Sequence, residues 1–427
     1  MTIVMDRIEA LDARAREIMR GNDMGGYTIP TKGLYPFQWN WDSAFAAWGF
    51  STFDLDRAWT ELETLFSAQW PDGMVPHIIF HRPDPGYFPG PEVWGTRTDP
   101  PTSGISQPPV AAILARRILA ADPVAGRARM KALWPKMLAW HRWWRRCRCG
   151  HGVAAVAHPW ESGRDNCTDW DPGMARVDAS GVGEYTRRDT GHVDASMRPG
   201  KLDYDRFLAI LQFGRDCGWD QQTIVERGPF LMADPAITFI LIRAHRDLAA
   251  LGQELGADPG EIATLEGWAA DLVAALPMIW HKKLGAHVAR DLRSGEFAPA
   301  ISSGAFLAWL ANCARDEAEA RLIAIWDRVR FGIPSSDPAA PGFESRRYWR
   351  GPTWPVVNAL IAIGMRDSGR DALEARLRRE TAELIANGGF WEYFDPLDGT
   401  PCGGDAFTWT AAIWLTWARG GLNGEGA

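Results

Sequence analysis

Two stretches set carboxylates among aromatic and basic side chains. His158-Pro159-Trp160-Glu161-Ser162-Gly163-Arg164-Asp165-Asn166 holds two carboxylates, a guanidinium and an indole. Gly388-Gly389-Phe390-Trp391-Glu392-Tyr393-Phe394-Asp395-Pro396 flanks Glu392 with aromatics on both sides. An apolar surround raises a carboxyl pKa and a nearby arginine lowers it. Two carboxyls in contrasting surroundings are what acid–base cleavage of a glycosidic bond uses. The plainer alternative is that Glu161 or Asp165 caps a helix or pairs with Arg164.

Two further clusters carry the same residue types. Gln38-Trp39-Asn40-Trp41-Asp42-Ser43 places two indoles and two amides beside a carboxylate, which suits sugar hydroxyls and apolar sugar faces. Asp42-Ser43 would also serve as a simple N-cap. Ser345-Arg346-Arg347-Tyr348-Trp349-Arg350-Gly351-Pro352-Thr353-Trp354 reads equally as a loop entering a helix at Pro352. There is no G-x-x-x-x-G-K-[ST] phosphate loop, no G-x-G-x-x-G after a strand and no G-x-S-x-G elbow. Asp165, Asp169 and Asp171 are spaced loosely like a calcium loop, but Cys167 takes a ligand position and Trp170 replaces the tight-turn glycine. No metal site and no cofactor is assigned.

The 427 residues carry a formal net charge of −7, with no basic signature of a nucleic-acid binder. The stretches Ala236–Ile242 and Val356–Ile363 are too short to cross a bilayer. Residues 1–20 are charged throughout and lack an apolar run of signal-peptide type, so the expected compartment is the cytoplasm. The six cysteines, Cys147, Cys149, Cys167, Cys217, Cys313 and Cys402, show no zinc spacing and read as free thiols. The 23 tryptophans outnumber 18 phenylalanines and 7 tyrosines. Most are expected to fill the core, as Trp140, Trp143 and Trp144 do by their i, i+3, i+4 spacing.

The elements that must hold these motifs are helices. Ile8, Leu11, Ala15, Ile18 and Met19 form one apolar face, ended by Gly21, and Asp54 reads as the N-cap of a helix to about Trp70. A short helix is expected over 42–50. Others follow at 107–121, 127–147, 201–217, 233–255, 258–282, 301–313, 316–330, 353–368, 370–387 and 406–419, with Pro135 and Pro277 as points of kinking or splitting. A small hairpin is expected around Ser294-Gly295, and Phe390–Phe394 reads as extended. Nothing divides the chain, so one all-α catalytic domain over 1–427 is expected, with loop insertions near 71–106 and 148–200. Long loops at 22–41 and 331–352 complete the set of pocket builders.

Taken together, Trp160–Asn166, Tyr348–Trp354, Phe390–Tyr393, Gln38–Asp42 and Ser106-Gln107-Pro108-Pro109 resemble the motifs of glycoside hydrolase family 63, in family order over roughly residues 35–415. The resemblance implies an (α/α)6 barrel and an inverting hydrolase of small α-glucosides or α-mannosides. It implies Asp165 as general acid and Glu392 as general base, ~6.5–9.5 Å apart so that a nucleophilic water fits. Trp39, Trp41, Asp42 and Gln107 would line the sugar subsite, with Trp160 and Arg164 beside the acid. Arg350 and Trp354 would shape the wall.

The chain is most similar to the short bacterial glucosylglycerate and mannosylglycerate hydrolases, in which Arg and Tyr grip the glycerate carboxylate; Arg198, Tyr204 and Tyr348 match. Trp349 stands where that group has a second Tyr, and Phe407 where a Gln is expected. A neutral aglycone, the second glucose of an α-linked disaccharide or glycerol, therefore stays open. Two readings from other classes are an epimerase or lyase using His77, His158 or His192, and a non-catalytic sugar-binding protein. The expected partners are a small α-glycoside and one water, with no nucleic acid and no membrane; a homo-oligomer stays open.

Overall fold

The computed structural model describes residues 2–422. Twelve α-helices matter here: α1 (Thr2–Gly21), α2 (Asn40–Phe50), α3 (Leu55–Ser67), α4 (Ala111–Ala121), α5 (Gly126–Arg148), α6 (Lys201–Asp216), α7 (Pro235–Leu255), α8 (Pro259–Ala275), α9 (Asp316–Trp326), α10 (Pro355–Asp367), α11 (Asp371–Gly388) and α12 (Thr408–Thr416). α2 packs on α4, α4 on α7, α7 on the 3₁₀ segment Ser303–Ala308, that segment on α10, α10 on α12, and α12 back on α2. This closed inner ring is sheathed by α3 on α2, α5 on α4, α8 on α7, α11 on α10 and α1 on α12. The architecture is an (α/α)6 barrel in which α6 lies outside the ring.

Composition sorts the two layers. Every residue of α2 is buried, as are Pro355–Met365 of α10 and Thr408–Leu415 of α12. A helix apolar on all sides belongs inside, and a helix with a single apolar stripe belongs at the surface. α3 is of the second kind, burying Ala58, Trp59, Leu62, Leu65 and Phe66, and Asp54 caps it by accepting from the Arg57 amide at 3.0 Å. Trp140, Trp143 and Trp144 are fully buried on α5, as their spacing demands.

Two expectations are corrected. Residues 301–313 form no α-helix. The Ser302 hydroxyl accepts from the Gly304 amide at 3.3 Å, and a 3₁₀ turn spans Ser303–Ala308. Serine offers the backbone a competing partner and glycine is a weak helix former, so this inner segment winds more tightly. As anticipated, Pro277 splits the 258–282 run, with α8 ending at Ala275 and a 3₁₀ turn over Leu276–Ile279. Second, among the described residues one run is long and apolar enough by composition to cross a membrane, Pro259–Ile279. Here it lies along α7 with Leu265, Ala269 and Leu272 buried. The hairpin at Ser294-Gly295 forms, with Arg290 bridged to Phe297. Phe390–Phe394 is non-helical, and Tyr393–Phe394 pairs with Pro401–Cys402.

The connections after α1, α3, α5 and α11 are long and meet at one end of the ring. α10 touches the chain leaving the 3₁₀ segment so closely that a Cβ on Gly364 would lie 2.1 Å from the Leu310 nitrogen and 2.2 Å from the Trp309 carbonyl carbon. Backbone cannot yield as a flexible side chain can. Gly364→Ala is therefore expected to lower unfolding free energy by about 1–3 kcal/mol or more, read by urea denaturation. An unchanged midpoint would contradict this packing.

Candidate active site

The motifs converge because backbone and side-chain bonds sew their loops together. Thr353 and Phe394 exchange backbone hydrogen bonds at 2.8 and 3.0 Å, joining the Tyr348–Trp354 segment to the Glu392 segment. The Asn166 side chain accepts from the Trp349 amide at 2.9 Å, joining the Asp165 loop to both. The 22–41 loop is tied to 405–408 by Thr31 to the Asp405 carbonyl at 2.7 Å and by Thr408 to the Pro30 carbonyl at 2.9 Å. Its other end is held by Glu61 of α3, fully buried, which accepts from Thr28, Gln38, Ser43 and Arg57. Three neutral donors and one guanidinium thus satisfy that carboxylate, which is the condition for burying it.

The resulting pocket is lined by Trp39, Trp41, Asp42, Gln107, Trp160, Asp165, Arg198, Tyr204, Tyr348, Trp349 and Glu392, all anticipated above. The N-terminal ends of α2 and α12 face it through Asp42 and Trp409, and Gln107 reaches it from the loop before α4. Helix N-termini carry partial positive charge, so they favour carboxylates placed there.

Glu392 is buried and well partnered. Its Oε1 accepts from the Tyr35 hydroxyl at 3.0 Å, its Oε2 from the Gly404 amide at 3.1 Å, and Arg198 Nη1 lies 3.5 Å from Oε2. Burial raises its pKa, while Arg198, Gly404 and Tyr35 pull it back down. A Cβ at Gly403, where φ is +78°, would meet Glu392 Oε2 at 2.4 Å, so only glycine allows this seat.

Asp165 is set differently. Burial pushes its carboxyl up to about 7, opposed by Arg198 and reinforced by Glu392. Its loop is locked from below, where Arg164 donates to Asp169 at 2.5 Å and to Asp234 at 2.7 Å. It is locked from the side by Gly163, φ +68°, where a Cβ would meet the Trp41 ring at 2.7 Å. Asp42 is pushed well above the usual carboxylate range by burial and by the nearby Glu392 and Asp165.

Arg198 is the cation among these acids. Its Nε donates to Asp189 at 3.1 Å, its Nη2 to the Tyr35 hydroxyl at 2.6 Å, and its guanidinium lies 3.9 Å from the Tyr348 ring centre. Tyr348 holds a left-handed backbone, φ +44°, which turns its ring into the pocket. Its hydroxyl and that of Tyr35 are 3.1 Å apart. The Tyr204 hydroxyl donates to the Phe88 carbonyl at 3.3 Å, and the Gln107 side-chain carbonyl accepts from the Trp41 amide at 3.1 Å.

Three anticipated residues lie outside the lining. Arg164 is buried beneath the loop in its two ion pairs, where its charge is consumed. Arg350 forks onto Asp171, both bonds 2.9 Å, behind the wall. Trp354 stacks on the hidden face of Trp349 at 3.7 Å and so supports a lining residue. Glu161 pairs with Arg148, and Asp171 is held by Arg350. Together with the Arg164 bonds this leaves Asp169 and Asp171 serving structure. Among the histidines, His158 is fixed between the Trp160 amide and the Phe207 carbonyl, His192 is exposed, and His77 lines the wall against Trp160.

Sequence reasoning missed Tyr35, Tyr87, Arg188 and Asp189, all pocket-lining. Tyr35 and Tyr87 stand singly in long loops and Arg188-Asp189 lie in a short charged run, none with a periodic or motif signal. Phe407 also lines the pocket, edge-on to Tyr35 at 5.9 Å.

Residues 35–410 match the family model of the mannosylglycerate hydrolase MGH1-like glycoside hydrolase domain. The chain is 46% identical over 420 residues to mannosylglycerate hydrolase MGH1 of Selaginella moellendorffii, covering 96% of this chain and 86% of that one. It is 34% identical to the glucosylglycerate hydrolase of Mycolicibacterium hassiacum, over 95% of this chain and 97% of that one. The crystal structure of the family 63 mannosylglycerate hydrolase from Thermus thermophilus with Tris and D-glycerate superposes with a TM-score of 0.91 at 42% identity, over 95% and 99% of the two chains. With motif order, fold and near-complete coverage in agreement, the chain belongs to the MGH1-like branch of glycoside hydrolase family 63.

Proposed function

We propose that this glycoside hydrolase cleaves a small α-glycoside of glycerate, glucosylglycerate or mannosylglycerate, with inversion at the anomeric carbon. The observation that carries the mechanism is the contrast between two carboxyls in one desolvated pocket. Asp165, lifted to about 7, keeps its proton near neutrality. Burial raises Glu392 as well, but Arg198, Gly404 and Tyr35 all favour its anion and oppose that rise. Asp165 gives its proton to the glycosidic oxygen as the C1–O bond breaks, and the aglycone leaves as an alcohol. A water attacks C1 from the opposite face and loses its proton to Glu392. Asp42 accepts from sugar hydroxyls, and Trp39, Trp41 and Trp160 cover apolar faces of the ring.

Arg198 supports the glycerate assignment. It is a buried cation on the pocket wall with the Tyr348 ring over its guanidinium and Tyr204 lining the same pocket, and an arginine fork suits a carboxylate. The relatives that act on mannosylglycerate and glucosylglycerate point the same way. A neutral aglycone is the second reading, favoured by Trp349 and Phe407, which line the pocket without offering a hydroxyl or an amide. The proposal carries with it one catalytic domain, a cytoplasmic setting in which the six free thiols stay reduced, and chemistry done by side chains and water alone.

Asp165→Asn and Glu392→Gln should each lower kcat by roughly 10²–10⁴-fold with circular dichroism unchanged; normal turnover by either variant would overturn the role given to it. Proton NMR of fresh product should show the β-anomer first, and an initial α-anomer would mean retention. A panel of glucosylglycerate, mannosylglycerate, glucosylglycerol and α-linked glucose disaccharides reads the aglycone, and turnover of the neutral members alone would move the assignment to the second reading. The acid must be protonated to act, so kcat/KM should fall above pH about 7, tenfold per unit, as Asp165 ionises. A profile flat from pH 6 to 9 would remove Asp165 from this role.

A further inference from the structure

We infer that Arg198 transfers its charge from Glu392 to the carboxylate of the arriving substrate, so that the occupied site works at higher pH than the empty one. This rests on the proposed anionic aglycone and adds a coupling between aglycone charge and the catalytic pair.

The geometry separates the partners of Arg198 into held and exchangeable ones. Its Nε is committed to Asp189, which is itself gripped by Arg187 at 2.6 and 2.9 Å. Its Nη2 makes a short bond, 2.6 Å, to the Tyr35 hydroxyl. One face of the guanidinium is covered by the Tyr348 ring. The contact with Glu392 is the loosest, 3.5 Å from Nη1, and it faces the pocket that a substrate must fill. A substrate carboxylate that takes this edge competes with Glu392 and with no other partner. Glu392 keeps its bonds to Tyr35 and Gly404 and so stays in place.

The groups that face the pair leave no substitute cation. Glu392 feels Arg198 and the carboxylate of Asp189, and it lies near Asp42, Asp165 and the phenols of Tyr35, Tyr348 and Tyr393. Asp165 feels the same Arg198, with Glu392 and Asp189 opposing. Arg188 also lines the pocket but is forked onto Asp84 at 2.8 and 3.0 Å. Once Arg198 is matched by the substrate, both carboxyls lose the positive charge that favoured their ionised forms. Glu392 becomes the stronger base and Asp165 holds its proton to higher pH. A neutral glycoside cannot produce this change, which makes Arg198 a specificity element acting on rate as well as on binding.

The test is kcat and kcat/KM from pH 4.5 to 9 on glucosylglycerate and mannosylglycerate, with glucosylglycerol as the neutral counterpart. With glycerate substrates both limbs of the kcat profile should lie about one pH unit alkaline of the kcat/KM limbs, the size expected for an opposite charge removed at this range. With glucosylglycerol the two profiles should coincide. Turnover of glycerate glycosides with coincident profiles overturns the charge transfer alone. No turnover of them overturns the aglycone assignment and this inference with it.

Calorimetry of D-glycerate binding at pH 6.5, in two buffers of different ionisation heat, gives an independent reading. Net proton uptake is expected, reduced in Glu392→Gln and absent with glycerol. Glycerate binding without uptake overturns the inference.

Discussion

Four carboxyls, Asp42, Asp165, Asp189 and Glu392, share one pocket with Arg198. In a site of low polarity these acids cannot all be ionised against one guanidinium, because unpaired buried charge costs several kcal/mol per ion. The protons are therefore distributed unevenly. Asp189 is held below the usual carboxylate range by Arg198 and Arg187, while burial lifts Asp42, Asp165 and Glu392, the last against the pull of Arg198, Gly404 and Tyr35. That imbalance separates an acid from a base without any difference in side-chain chemistry.

The surrounding frame keeps the imbalance from relaxing. Other buried carboxylates near the site have guanidinium partners: Glu61 has Arg57, Glu161 has Arg148, and Asp169 and Asp234 share Arg164. Matched pairs do not reach into the pocket, so they fix loops without altering its charge. The inner helices contribute their N-termini and their all-round apolarity, which leaves the polar groups only one end of the ring to occupy. Trp354 behind Trp349 and Trp41 against Gly163 make the walls thick and stiff. A pocket with such walls presents a fixed arrangement of donors to a sugar, the condition under which electrostatic preorganisation is effective.

Much of this was legible in the chain. The 3.6-residue period located nearly all helices, because burial of an apolar stripe is a local constraint repeated along each of them. It failed at 301–313, where contact with Gly364 and competition from Ser302 are non-local or cap-specific effects. Asp165 and Glu392 stood out by their aromatic and basic neighbours in sequence. Tyr35 and Asp189 did not, since each acquires its meaning from a residue far away in the chain or outside its motif, Glu392 and Arg198 respectively.

Arg164 and Arg198 show where the division falls. By composition both are arginines in the same long loop, and both were assigned to the substrate. By itself the sequence determined the helical class, the order of the motifs and the kinds of side chain available at the barrel mouth, because these depend on patterns within short windows. Only the tertiary structure decided that Arg164 is spent on two buried aspartates while Arg198 stands over the base. That outcome depends on which opposite charges the folded loops bring within hydrogen-bonding distance, and the deciding ones, Asp234 for Arg164 and Glu392 for Arg198, lie 70 and 194 positions away, outside any short window of sequence.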